Sequence, residues 1–163
     1  MADHPDTGAP LSQLAETLLR APRSLPPGER ELIAAYVSEL NRTPFCSRSH
    51  SAFAAAQLAG GAGLVAEVLA DPDRADITPR LRALLRIAAE VREEARPVSD
   101  HALTTARNEG AGDDEIHDTV LIAAAFCMYN RYVNCLATAL PTRPDHYDVA
   151  ARLIVSRGYT APR

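Results

Sequence analysis

The chain of 163 residues has no tryptophan, and aromatic residues make up only 5% of it. Sheets fill their pleated faces with aromatic and β-branched side chains, so this shortage argues against a strand-rich domain. Alanine and leucine dominate an apolar share of 47%, a composition that suits helices packed through small residues. Positive charge is also in short supply. The 17 basic residues, all arginine, are outnumbered by 21 acidic ones, and the net charge is -4. A pI near 5.7 and the lack of a basic stripe argue against a nucleic-acid binder. The longest apolar run, Val120 to Tyr129, is far too short to cross a bilayer, so no membrane role is expected. The opening MADHPDTGAP has neither a basic segment nor an apolar core and does not read as a secretory leader. Three cysteines cannot all pair with one another, which points to free thiols in a reducing cytoplasm.

The punctuation of the chain predicts a helical protein. Residues 1–9 read as a flexible N-terminal tail, and residues 10–163 as a single all-α domain. A first helix is expected from about Pro10 to Arg20, before the break at APRSLPPG. The next, Pro27 to Leu40, carries apolar residues at 32, 33, 36, 37 and 40. Thr43-Pro44 and Thr78-Pro79 are cap signals that open helices to about Leu58 and Ala95, with a short helix over 64–70 between them. Ser99 caps a helix ending near Gly110. Asp113 opens a long one reaching about Leu140, and a last amphipathic helix spans about Asp145 to Ser156. The long helix has more apolar surface than a core of this size needs, so it is expected to form a subunit interface as well.

The stretch NRTPFCSRSHS concentrates the chemistry. With Thr43 as N-cap and Pro44 at the first helical position, Cys46 falls in the first turn. Unsatisfied N–H groups and the positive end of the macrodipole favour a thiolate there. His50, four residues on, shares its helix face. The pair reads as a thiol made reactive by its position. No second histidine or carboxylate stands at ligand spacing from His50, so neither a metal nor another cofactor is expected. Cys127, inside AAAFCMY, and Cys135 read as structural, and His4, His101, His117 and His146 have no partner pattern.

RELIAAYVSELN followed by C-x-x-x-H-S resembles the alkylhydroperoxidase D and carboxymuconolactone decarboxylase superfamily, in particular its peroxidase-related branch. The likeness runs from about Leu25 to Tyr159. It includes the Asp-Asp-Glu-Ile opening and the alanine-rich helix that carries Asn130 and Arg131. The branch signature E-x₁₁-C-x-x-C-x-x-x-H places its glutamate on Glu31, its second cysteine on Cys46 and its histidine on His50, while its first cysteine falls on Thr43. The resemblance implies an alkylhydroperoxidase D-like helical bundle, assembled as trimers or hexamers. It further implies a peroxidatic Cys46, with His50 and Glu31 relaying protons and Thr43, Asn130 and Arg131 supporting the site. Thr43 has no sulfur to resolve a sulfenic acid, so turnover needs an external thiol reductant, Cys127 or Cys135. Arg131 either pairs with a buried carboxylate, for which Glu31 is the candidate, or snorkels; the pair is favoured.

Three functions fit these residues. One is a thiol-dependent peroxidase using Cys46. Another is a cofactor-free acid–base enzyme of the lactone decarboxylase type, with His50 and Glu31 moving protons on a small organic acid. The third is a non-catalytic small-molecule scaffold.

Overall fold

The computed structural model describes residues 4–143 and 145–160, and all regular structure among them is helical. The order is α1 Pro5–Leu19, α2 Pro27–Leu40, α3 Pro44–Ala55, α4 Gly61–Ala70, α5 Pro79–Glu93, α6 Asp100–Asn108, α7 Asp113–Cys135 and α8 His146–Arg157. None of these helices is long and apolar enough to cross a membrane.

Prolines open α1, α2, α3 and α5, each at a first-turn position where the missing N–H costs nothing. Thr78 and Ser99 cap α5 and α6 by accepting from the N–H groups of Leu81 and Ala102, at 3.2 Å each. At the start of α7, the Glu115 side chain reaches back 3.0 Å to the N–H of Gly112, and three acids in the first turn oppose the helix dipole.

α2 is the central element. Every residue from Arg30 to Ser38 is buried, because α3, α5 and α7 pack around it and α1 and α4 complete its cover. Leu32, Ile33 and Val37 are fully enclosed, each burial contributing about 1.5–3 kcal/mol. Placing a charge at Ile33 would therefore break the core. Arg30, also buried, donates from Nη1 to the carbonyls of Leu18 and Ala21, at 2.9 Å each. It thereby satisfies the C-terminal end of α1 and ties it to α2.

Three expectations need correction. α1 begins at Pro5, so residues 5–9 are helical and Pro10 lies inside the helix. Residues 1–3 lie outside the described residues. α7 ends at Cys135 and not near Leu140, and Ala137 takes a left-handed φ of 49° just beyond it. Thr43 stands at the N-cap of α3, and its carbonyl accepts the Ser47 N–H at 2.9 Å, but its side chain caps no N–H of that helix. Its φ of -111° and ψ of 83° differ from the extended cap geometry of Thr78, and its hydroxyl is engaged elsewhere.

Candidate active site

α2 and α3 form a helical hairpin through the turn at Asn41 and Arg42, where Arg42 adopts a φ of 52°. The hairpin brings Glu31, from the first turns of α2, against His50, from the second turn of α3. Oε2 of Glu31 and Nδ1 of His50 are 2.7 Å apart, and Glu31 is completely shielded from solvent. A carboxylate has only acceptors to offer. With Glu31 ionised, Nδ1 carries the hydrogen, and Nε2 is left as the free nitrogen. The imidazole is held edge-on by Phe126 and Phe53, with ring centroids 4.6 and 5.3 Å away.

The other oxygen of Glu31 has a partner that sequence reasoning missed. The Tyr159 hydroxyl donates to Oε1 at 2.7 Å and lies 3.5 Å from Nδ1 of His50. Tyr159 follows α8, where Gly158 turns with a φ of 75°. Burial, reinforced by the charge of Glu31 and the hydrogen bond to it, pushes the Tyr159 hydroxyl well above the ordinary tyrosine range. The hydroxyl is therefore a donor.

Cys46 lies one turn before His50, as its spacing predicts, but it is buried and its environment differs from the expected one. Burial pushes its thiol above the ordinary value, and the Asn130 side chain beside it exerts only a lesser pull downward. Desolvation is the larger cause, so the depressed thiol expected from the sequence is corrected to a raised one. The ring hydrogen bonds of His50 run to Glu31 and Tyr159, and none runs to Cys46.

α7 runs alongside α3 and lines the same region. Asn134 donates 2.9 Å to the Thr43 hydroxyl, Asn130 sits beside Cys46, and Phe126 faces His50. Asn130 also donates 3.0 Å to Ser38 and accepts 2.9 Å from Asn41. Asn41 is in turn held by Arg92 at 3.0 Å and lies 3.7 Å from the sulfur of Cys127. Arg131 does not join this set. It is exposed and donates 3.0 Å to the carbonyl of Cys127 one turn back, so the expected pair with Glu31 does not form. Its position on α7 turns it away from the core, whereas Asn130 faces inward.

The family profile of the carboxymuconolactone decarboxylases matches residues 5–90, just over half of the chain, a span that contains Glu31, Cys46 and His50. No curated protein sequence matches. Among solved structures, a peroxidase-related protein from Ralstonia eutropha JMP134, described as an alkylhydroperoxidase AhpD core, is 26% identical. It superposes with a TM-score of 0.82 over 93% of this chain and 77% of its own. A peroxidase-related protein from Silicibacter sp. TM1040 is 25% identical, with a TM-score of 0.74 over 82% of this chain and 69% of its own. The helical order and the match across α1 to α5 lead to one assignment: the chain belongs to the carboxymuconolactone decarboxylase family and has the alkylhydroperoxidase AhpD-like fold.

Proposed function

We propose that the protein is a thiol-dependent hydroperoxidase in which Cys46 is the nucleophile, His50 its base, and Glu31 the group that orients His50. The observation that carries this reading is the buried Glu31–His50 pair, 2.7 Å across, on the helix face that also bears Cys46. A buried thiol with a raised proton affinity is a poor nucleophile by itself and needs a base when substrate arrives. The free Nε2 of His50 takes the thiol proton. The thiolate attacks one oxygen of the hydroperoxide, the O–O bond breaks, and the proton passes to the departing alkoxide. Cys46 becomes a sulfenic acid and the hydroperoxide becomes an alcohol. An external thiol then condenses with the sulfenic acid, releasing water. A second external thiol restores Cys46 as a disulfide of the reductant leaves. Thr43 cannot supply the first of these thiols.

The acid–base reading has one observation in its favour: the raised Cys46 thiol leaves Glu31 and His50 as the prepared groups of the site. Titration with hydrogen peroxide and with cumene hydroperoxide, followed by trapping and mass spectrometry, tests the choice. Sulfenic acid at Cys46, absent in Cys46→Ser, is expected. No adduct with either oxidant would leave proton transfer on a small organic acid as the better reading.

We further infer self-association. Leu121 and Met128, seven residues apart on α7, are exposed, as are Leu136 and Leu140 after it. Sedimentation should show a homo-oligomer, and Met128→Arg should weaken it.

A further inference from the structure

The C-terminal segment is fastened to the rest of the protein at several points, and they converge on one hydroxyl. Arg20, at the end of α1, donates 2.8 Å to the carbonyl of Val155 and 2.6 Å to Gln57. Glu16, one turn earlier, accepts the backbone N–H of Tyr159 at 2.6 Å. The turn before it fits only glycine. Gly158 has a φ of 75°, and a Cβ built there would stand 2.4 Å from Oε2 of Glu16. The result is a tyrosine seated against the ring of His50, nearly parallel at 21° and 6.3 Å between centroids, with its hydroxyl on Glu31.

With a neutral imidazole, the hydrogen inventory of this group has two solutions. In one, Glu31 is a carboxylate that accepts from Tyr159 on Oε1 and from Nδ1–H of His50 on Oε2. In the other, Glu31 carries a proton and donates it to Nδ1, which moves the imidazole hydrogen to Nε2 and removes the base. A carboxylate fully enclosed by protein needs a donor on each oxygen to keep its charge. Tyr159 is the donor on Oε1.

We propose that Tyr159 is a positioning residue: its hydroxyl, seated by the Glu16–Gly158 clamp, holds Glu31 as an acceptor and so fixes His50 in the Nδ1–H tautomer with Nε2 free. The hydroxyl's raised proton affinity agrees, because a phenolate could not donate. In its catalytic meaning this inference rests on the reading of His50 as the base for Cys46, but the tautomer itself does not.

The test is ¹⁵N spectroscopy of the His50 ring, which distinguishes the two nitrogens directly and involves no turnover. The wild type should show a protonated Nδ1 and a bare Nε2; a protonated Nε2 in the neutral ring would overturn the proposal. Tyr159→Phe keeps the ring and removes only the donor. The Nε2–H form should become populated in this variant, and oxidation of Cys46 by cumene hydroperoxide should slow about tenfold. Glu16→Ala, which frees the N–H that seats Tyr159, should move the spectrum in the same direction by a smaller amount and serves if Tyr159→Phe does not fold. An unchanged His50 spectrum in whichever variant folds sinks the idea. A wild type with the expected tautomer but no sulfenic acid on Cys46 would sink the peroxidase reading and leave this one standing.

Discussion

Glu31 and His50 are nineteen residues apart in the chain, and their side chains meet at 2.7 Å in the protein interior. The turn at Asn41 and Arg42 lays α3 back along α2, so the pair belongs to the hairpin itself. Removing one member therefore strands the other. Glu31→Ala leaves the Tyr159 hydroxyl and Nδ1–H of His50 without acceptors in a shielded site. The expected cost is about 3 kcal/mol, read from the urea midpoint. Glu31→Gln, which keeps an acceptor, should cost clearly less. Equal midpoints for the Ala variant and the parent would mean that the pair holds nothing together.

Cys46 should be the slowest of the three cysteines to alkylate in the native protein. It is buried and its thiol is pushed upward, whereas Cys135 is exposed and Cys127 partly so. Its rate should keep climbing with pH beyond the ordinary thiol value of 9.0. Timed iodoacetamide labelling with peptide mass spectrometry checks this. A Cys46 that labels fastest at neutral pH would restore the activated-thiol expectation drawn from its first-turn position.

The contrast between these two results shows what the sequence could carry. The starts of α2, α3, α5 and α6 are legible because Pro and Ser/Thr act locally, and the apolar stripe of α2 marks its extent. Glu31, Cys46 and His50 stand out as candidates through a motif confined to one hairpin. Tyr159 was not, since it reaches the site from 128 residues beyond Glu31 with no periodic signal to mark it. The thiol of Cys46 was misjudged for a related reason. The cap dipole is a local property and can be read from spacing, while desolvation depends on what α7 lays over the site. The Thr43 side chain does not cap α3: its φ and ψ depart from the extended cap geometry, and its hydroxyl accepts from Asn134 of that same distant helix.

Alkaline pH should destabilise the protein steeply. Cys46, Tyr159 and Tyr129 all bind their protons more tightly when folded, and Tyr129, which donates 2.7 Å to the carbonyl of Leu11, is pushed up to about 12. A raised native value means that the stabilisation is complete below the unfolded values of 9.0 for cysteine and 10.0 for tyrosine. It is lost as pH climbs through the native ones. Urea midpoints taken from about pH 8 to about pH 11 should fall progressively, and less so in Tyr129→Phe. A flat profile would contradict the burial of these hydroxyls.

Thr43→Cys decides whether the absent sulfur is all that separates this site from a self-resolving one. Thr43 is buried at the N-cap of α3, and Cys46 lies three residues on. A cysteine at 43 would therefore complete a C-x-x-C pair at the helix start, where thiol–disulfide chemistry is favoured. The replacement forfeits the hydrogen bond from Asn134, a cost of about 1 kcal/mol, but no helix cap, because the threonine provides none. Oxidised variant should contain the 43–46 disulfide, visible as a crosslinked peptide. It should also reduce cumene hydroperoxide with a dithiol faster than the parent, which under the proposed mechanism needs an external thiol for each turnover. His50→Ala in that background should abolish the gain, since the attacking thiol loses its base. A variant that forms the disulfide yet reduces no hydroperoxide would show that the pocket is shaped for another substrate. Proton transfer by His50, oriented by Glu31, would then be the chemistry to pursue.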